Sequence, residues 1–180
     1  MSCAYIAFTE TGLKLAESLA FSHPGSISRG GKNGVKLSDW TAENFQKSDA
    51  LIFIGAVGIA VRAIAPHCKS KVTDPAVIVL DERGRFSIPI LSGHLGGAND
   101  LAKKLASICG AVPVITTATD VEGVFAVDEW AKAQNCHVLE PERIKTVSGT
   151  LLAGKVAYYD SQWKIAGTQP ENVLPADENH

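Results

Sequence analysis

The sequence predicts an α/β protein with a mostly parallel open sheet and helices on both faces. Short apolar runs recur along the first two thirds of the chain, as is typical of strands that are covered on both sides. Each run leads through a loop rich in glycine or hydroxyl residues to apolar residues at helical spacing. With 180 residues, the chain can form one sizeable domain or two small ones.

The N-terminal region is predicted to hold one strand and two helices. Residues 4–8 form the strand, and the loop 9–12 leads into a helix whose apolar positions share one face. Residues 24–35 are rich in glycine and serine and are expected to be a mobile connection. Residues 40–47 are expected to form the second helix.

The predicted centre of the sheet combines two buried strands with a hairpin. Residues 50–54 form a strand that turns through Gly55 and Gly58 into a short helix closed by Pro66. Residues 77–80 form the next strand, and the tight turn after it makes residues 76–91 a hairpin. The expected sheet is therefore Rossmann-like or flavodoxin-like, with one antiparallel addition.

The rest of the chain continues the alternation with less chemistry. Residues 111–115, 137–139 and 155–159 read as strands, and Pro141 suits the first turn of a helix that runs towards Leu152. Polar residues dominate after this region. We therefore expect an N-terminal α/β domain at residues 1–122, a smaller middle α/β region at residues 123–160, and a polar tail or linker at residues 161–180.

The run from Leu91 to Asp100 carries the strongest functional signal. Its glycines allow a backbone to approach a ligand closely, and the start of the following helix offers N–H groups to an anion. His94 can move protons near neutral pH. We expect a site for a negatively charged ligand here, at the carboxyl end of a strand, where open α/β sheets bind ligands. The candidate residues are Ser92, Gly93, His94, Gly96, Gly97 and Asn99.

Two further loops are expected to border the same site. Arg62, which follows Gly55 and Gly58, is the only charged residue between Asp49 and Lys69. It pairs either with a carboxylate of the protein or, through its two-pronged guanidinium, with a carboxylate of a ligand. The second loop follows the strand 111–115, and either Thr119 or Asp120 in it is also expected to cap the next helix. Its candidates are Thr116, Thr117, Thr119 and Asp120.

Charge and cysteine usage restrict the class of protein. A net charge of −2 gives no basic field for nucleic acid, and the first segment has no signal-peptide pattern. The four cysteines form no C-x-x-C pair and suggest a reducing compartment. The neighbouring residues His67 and Cys68, and likewise Cys136 and His137, match no common set of zinc ligands. Four basic residues are expected around the site: Lys69, Lys71, Arg83 and Arg85. Three tryptophans are expected to pack in the interior: Trp40, Trp130 and Trp163.

Four segments occur here in one order and carry a specific resemblance. They begin at Gly55, Asp74, Leu91 and Ile115 and read GAVGIAVRAIAP, DPAV, LSGHLGGAND and ITTATD. With them, residues 49–130 resemble the CbiG family of cobalamin-biosynthesis proteins, the cobalt-precorrin-5A hydrolases. The chain as far as about residue 159 is similar, less closely, to the middle segment of that family.

This resemblance implies a cytoplasmic enzyme of the anaerobic route to vitamin B12. The family opens the δ-lactone on ring A of a cobalt-corrinoid and cleaves a carbon–carbon bond, releasing acetaldehyde and cobalt-precorrin-5B. The cobalt belongs to the substrate, so no cofactor or protein-bound metal is expected. The partners that the resemblance implies are the corrinoid and a CobE-like C-terminal domain in cis or in trans. A sheet edge or apolar patch left exposed without that domain could cause dimerisation with a second copy of the chain. No nucleic-acid or membrane partner is expected.

Within that reaction, His94 is the expected acid/base, oriented or assisted by Asp81, Asp100 or Asp120. The loop amides would meet the oxyanion or a carboxylate of the substrate, and Arg62 would hold an acetate or propionate group. Ser92 has no nucleophile-elbow pattern around it. The alternative is a non-catalytic corrinoid- or nucleotide-binding module, although neither common phosphate-loop motif occurs in the sequence.

Overall fold

A computed structural model describes residues 1–70, 72–162 and 171–176 of the chain. Strands and helices alternate along its first part. The strands are β1 Cys3–Ala7, β2 Gly25–Arg29, β3 Ala50–Ile54, β4 Ala76–Leu80, β5 Phe86–Leu91, β6 Val112–Pro113, β7 Ala157–Tyr159 and β8 Val173–Pro175. The helices are α1 Glu10–Ser22, α2 Leu37–Lys47, α3 Val57–Ile64, α4 Ala98–Cys109, α5 Ala118–Val121, α6 Val127–Ala133 and α7 Ile144–Leu152.

The main sheet has the strand order β2-β1-β3-β4-β5-β6. Strands β1 to β4 are parallel to one another, whereas β5 runs antiparallel to β4 and β6 runs parallel to β5. The turn between β4 and β5 is too short for the crossover that a parallel pair requires, so the chain must reverse. Gly84 completes this turn with a φ of 64°, and its amide donates to the Asp81 carbonyl. The predicted fold class and the predicted hairpin are both confirmed.

Helices cover both faces of the sheet and bury its central strands. The strands β1, β3 and β4 are buried along their whole length, which explains their continuous apolar sequences. Helices α1 and α4 pack on one face through Leu19 and Leu105, and α2 and α3 pack on the other through Trp40 and Ile64. Burial of each such large apolar side chain contributes about 1.5–3 kcal/mol.

The chain divides into two compact units, residues 1–115 and 116–180. The second unit contains α5 to α7, a short 3-10 turn at Pro141–Arg143, and the parallel pair of β7 and β8. Within the described residues, no helix has both the length and the apolar character needed to cross a bilayer.

Three segments differ from the sequence prediction. Residues 24–35 contain β2 rather than only a mobile connection, because the edge strand hydrogen-bonds to β1 despite its polar composition. Residues 137–139 form no strand, and Leu139 is exposed. The expected polar tail contains β8, which pairs with β7. Lys71, Trp163 and much of that tail lie outside the described residues.

Candidate functional site

The reversal at the β4–β5 turn separates the predicted site residues. We call the edge where β1 to β4 begin the amino edge, and the edge where they end the carboxyl edge. Leu91 at the end of β5 pairs with Val77 near the start of β4, so the glycine loop after β5 lies at the amino edge. Gly55 and Asp81 follow the ends of β3 and β4. Strands of this length are about 16 Å long. The expectation that these loops border one site is therefore wrong.

Asp81 stabilises the β4–β5 turn at the carboxyl edge. Its carboxylate accepts hydrogen bonds from the amides of Arg83, Arg85 and Phe86 and from the Arg85 guanidinium. Partial burial by itself would raise the pKa of Asp81, but these four donors outweigh it and hold the pKa below its ordinary value. Asp81 therefore cannot orient His94, as we expected from the sequence, and its role is structural.

Arg62 is exposed in the last turn of α3. Its Nη1 donates to the carbonyl of Gly58 in the same helix at 3.1 Å. Among the described residues, no carboxylate pairs with Arg62, because a guanidinium four residues further along a helix reaches a carbonyl of the first turn. Its assignment as a ligand for a substrate carboxylate stays a prediction.

The glycine loop at the amino edge, residues 92–97, has an unusual backbone. Ser92 has a φ of 56°, which costs a non-glycine residue about 1–2 kcal/mol. A Cβ at Gly93 would lie 2.9 Å from Oδ1 of Asn99, and a Cβ at Gly96 would lie 2.3 Å from Cβ of Ser92. Gly97 adopts a φ of 78° before α4 begins. Position 96 therefore leaves no room for a side chain, whereas a Cβ at position 93 would require the Asn99 side chain to shift. The left-handed conformation of Ser92 is a strain of the kind often found at functional sites.

The loop uses several of its own amides. Gly97 N donates to the His94 carbonyl at 2.8 Å, and the amides of Ala98 and Asn99 donate to the carbonyls of Ser92 and Gly93. The Gly97 amide is thus unavailable to an anion, contrary to prediction, because the loop closes on itself. Among the described residues, the amides of Gly93 and Gly96 have no backbone acceptor. These two amides can still donate to a ligand.

The side chains of the loop differ in exposure. His94 is partly exposed, whereas Asn99 is buried beneath the loop and Asp100 is exposed in the first turn of α4. Ser92 is buried, and its Oγ donates to the Asp74 carbonyl at 2.9 Å. The hydroxyl of Ser92 is committed to that carbonyl, so it holds the loop. The imidazole of His94 is partly exposed on this loop, and its assignment as the acid/base stays a prediction.

Asp74 is a residue that sequence reasoning did not assign to the site. It is only 8% exposed, and its Oδ2 accepts hydrogen bonds from the amides of Lys69 and Ser70 at 2.8 and 3.0 Å. Its carbonyl is the acceptor for Ser92 Oγ. Asp74 therefore connects the loop before β4 to the glycine loop. Its place in the segment DPAV, between two apolar elements, was the available signal.

A groove follows the amino edge beside the glycine loop. Its first hollow encloses about 390 Å³ between the ends of α2 and the strand starts, and Leu95 and Gly96 form part of its wall. Its second hollow encloses about 310 Å³ and reaches past the end of α3. The two hollows share Phe45, Gln46, Thr73 and Asp74 as lining residues. We call them together the amino-edge groove.

A separate crevice of about 310 Å³ lies at the carboxyl edge. It is found between the ends of β1 and β3, where the strand order changes direction, which is the usual ligand position in open α/β sheets. Its floor is apolar, with Phe8 and Ile54, and its polar rim is acidic, with Asp81 and Glu82. The Thr9 hydroxyl donates to the Glu82 carboxylate. An acidic rim is unfavourable for an anionic ligand.

The remaining predicted residues follow β6 or carry positive charge. Thr116, Thr117, Thr119 and Asp120 belong to the second unit. Thr119 and Asp120 lie inside α5 rather than at its N-cap, so the expected capping role is wrong: the helix begins earlier, after Thr117. Among the basic residues, Lys69 lies at the amino edge, whereas Arg83 and Arg85 lie on the β4–β5 turn at the carboxyl edge.

Comparison with known proteins assigns part of the chain to a family. Residues 39–120 match the family model described as cobalamin synthesis G N-terminal. The chain is 41% identical over 161 residues to the cobalt-precorrin-5A hydrolase of Salmonella typhimurium, which covers 84% of this chain and 46% of that protein. It is 43% identical over 134 residues to the enzyme of the same name from Priestia megaterium, covering 74% and 36%.

A solved structure has the same fold. The crystal structure of a cobalamin biosynthesis protein G homolog from Sulfolobus solfataricus superposes with a TM-score of 0.58 at 25% identity, covering 96% of this chain and 52% of that one. The chain spans less than half the length of the two curated relatives named above.

Proposed function

The chain belongs, through residues 39–120, to the cobalamin synthesis G family, and on this premise we propose that it acts in the hydrolysis of cobalt-precorrin-5A during cobalamin biosynthesis. Two relatives that match most of this chain carry the name of that enzyme. We propose the amino edge as the place of the reaction and the carboxyl-edge crevice as no part of it.

The observation that carries this proposal is the strained glycine loop with His94. Ser92 is held in a left-handed conformation, and Gly96 of the same loop has no room for a Cβ. A protein keeps such strain only when the surrounding structure fixes it, and this strain is a frequent mark of a functional site. The loop presents a partly exposed imidazole next to the amides of Gly93 and Gly96.

These groups suit the opening of a lactone. We propose that His94 takes a proton from water as the water oxygen attacks the lactone carbonyl carbon. The amides of Gly93 and Gly96 stabilise the tetrahedral oxyanion. The ring carbon–oxygen bond then breaks, and the protonated imidazole returns the proton to the leaving alkoxide. The products are a carboxylate and a free hydroxyl group on the substrate.

The second step releases the two-carbon unit. A base removes the proton of the freed hydroxyl, a carbon–oxygen double bond forms, and the adjacent carbon–carbon bond breaks to give acetaldehyde. The electron pair of the broken bond passes to the macrocycle, which then takes up a proton. The cobalt is part of the substrate, so the proposal requires no metal held by the protein. His94 serves as the base in this step as well.

The remaining assignments stay predictions from the sequence. Thr116, Thr117 and Thr119 are proposed to bind substrate, Asp120 is proposed as a catalytic residue, and each can be tested by substitution. A CobE-like domain, in cis or in trans, is proposed as a partner because the relatives are more than twice as long as the matched part.

The test is acetaldehyde release from anaerobically prepared cobalt-precorrin-5A. The assay is run with the chain alone and with the remaining part of a relative added. We expect His94→Ala to lower release at least 100-fold, the usual contribution of a general acid/base, while corrinoid binding is retained. His137→Ala, at an exposed position of the second unit, is the matched control and should keep full activity.

Each outcome has a definite meaning. Full release by His94→Ala would remove this residue from the mechanism. Release only after the remaining part is added would mean that the active site needs groups from it. No release by the wild-type chain in either arm, together with tight corrinoid binding, would refute the enzyme and leave a binding module.

A further inference from the structure

The second hollow of the amino-edge groove contains groups that neither the fold nor the proposed chemistry uses. It is lined by Phe45, Gln46, Pro66, His67, Lys69, Thr73 and Asp74. The rings of Phe45 and His67 pack against each other with centroids 5.6 Å apart and a tilt of 35° between their planes, so two aromatic rings form one wall. Lys69 and His67 add two hydrogen-bond donors beside that wall.

The charged side chains that line the groove differ in how they are paired. Asp49 is engaged by the amide and hydroxyl of Ser2, and its pKa is held below its ordinary value mainly by these hydrogen bonds. The Asp74 carboxylate is occupied by two backbone amides. Lys47 is paired with Glu43. Among the described residues, by contrast, no carboxylate pairs with the ammonium group of Lys69. Lys69 is therefore the cation in this groove that is available to a ligand.

Asp74 joins this hollow to the glycine loop as one structure. Its carboxylate fixes the backbone of Lys69, and its carbonyl fixes Ser92 at the base of the loop that bears His94. The position of the Lys69 backbone and the position of the loop thus depend on the same buried residue. A ligand that reaches from His94 to Lys69 would contact surfaces that are already held relative to each other.

The size of the hollow restricts what it can hold. Its volume of about 310 Å³ lies at the lower end of the range for small-molecule pockets, about 300–1,000 Å³. It suits the side chains at one edge of a large ring better than the ring itself. A corrinoid precursor carries carboxylate side chains around its periphery, and these match a lysine and an imidazole beside an aromatic ring.

We propose that this hollow binds peripheral carboxylates of the corrinoid, with the Lys69 ammonium and the His67 imidazole as the contacting groups and the Phe45–His67 wall against the ring edge. The proposal rests on the proposed function, because it assumes a corrinoid substrate at the amino edge. It assigns recognition of the substrate to a part of the groove separate from His94.

The test measures binding rather than turnover. Dicyanocobyrinic acid, a polycarboxylate corrinoid, is titrated into the whole chain by calorimetry, and its fully methyl-esterified form serves as the uncharged comparison. We expect the acid to bind at least fivefold more tightly than the ester at low salt, and the difference to shrink as salt is raised. Lys69→Ala and His67→Ala should each weaken binding of the acid three- to tenfold and leave binding of the ester unchanged.

Two controls make the result specific. Lys32→Ala removes an exposed lysine from the loop after β2, at the carboxyl edge, and should bind the acid like wild type. His94→Ala should also keep binding. Circular dichroism and the urea midpoint check that Lys69→Ala and His67→Ala remain folded, which we expect because Lys69 is exposed and His67 partly exposed.

The inference is overturned if the wild-type chain binds neither compound, if acid and ester bind equally, or if both groove variants bind the acid like wild type. Its failure differs from failure of the proposed function. If His94→Ala abolishes acetaldehyde release while Lys69→Ala keeps the wild-type KM, the reaction stands and this binding site falls. If the groove variants lose binding but the wild type releases no acetaldehyde in either arm, the binding site stands and the enzyme falls.

Discussion

Replacing Gly96 by alanine should destabilise the first unit strongly. The added Cβ would lie 2.3 Å from Cβ of Ser92 and 2.7 Å from its carbonyl oxygen. Carbon atoms in contact normally lie about 3.5–4.0 Å apart. One of the two obstacles is backbone, so no side-chain rotation can relieve the overlap. The glycine loop must open to accept the methyl group.

The magnitude follows from what that opening breaks. The hydrogen bonds from Gly97 N to the His94 carbonyl and from Ala98 N to the Ser92 carbonyl both close the loop, and each contributes about 1 kcal/mol. Backbone shifts forced by an extra methyl group cost about 1–3 kcal/mol. We therefore expect the free energy of unfolding to fall by about 3–5 kcal/mol, a large part of the 5–15 kcal/mol of a typical domain.

The assay is urea unfolding followed by circular dichroism, with hydrogen exchange of β1 and β3 to report on the first unit. Gly58→Ala is the matched control in that unit. Its Cβ would lie 3.2 Å from the Arg62 Nη1, the mobile end of a long side chain, and the position is helical. We expect Gly58→Ala to stay within about 0.5 kcal/mol of wild type or to exceed it. A Gly96→Ala protein as stable as this control would refute the loop geometry.

Two further predictions concern Ser92 and Asp81. Ser92→Ala should lower the free energy of unfolding by about 1 kcal/mol, because the hydrogen bond to the Asp74 carbonyl is lost. Ser92→Gly loses the same bond but also removes the strain of the positive φ, so it should be more stable than Ser92→Ala. Urea titration measures both variants, and the opposite order of stability would contradict the strain at Ser92. Asp81→Asn should destabilise the protein at pH 7. Because the folded pKa of Asp81 is lowered, its stabilisation is complete above the ordinary value of 3.8 and is lost as pH falls through the lower folded value. The stability gap between Asp81→Asn and wild type should therefore close below pH 3.8, and a gap independent of pH would disprove the account.

The β4–β5 hairpin is a part of the fold that the local sequence predicted correctly. The run after β4, from Glu82 to Arg85, predicted a tight turn, and the turn forms with Asp81 as the acceptor for three amides. A tight turn returns the chain beside the strand it has just left. It therefore also moves the end of β5 to the amino edge. The predicted turn therefore already implied that the loop with His94 and the loop with Gly55 lie at opposite edges of the sheet.

The composition of a segment was a poorer guide than its neighbours. Residues 24–35 have the glycine and serine content of a loop, yet Gly25–Arg29 forms an edge strand because β1 offers it a row of hydrogen bonds. The intrinsic β-propensity of a segment is a weak predictor where pairing with a neighbouring strand decides whether the segment forms a strand.

The sequence by itself determined the α/β class, the buried central strands and the candidate loop around His94, because apolar runs, glycines and turn residues act over a few neighbouring positions. Only the tertiary structure decided which of these loops share an edge, since that depends on the direction in which each strand enters the sheet. It also decided the role of Asp74, whose carbonyl holds Ser92 from 18 residues away. A contact of that separation follows from the pairing of β4 with β5, which brings the start of one strand beside the end of the other.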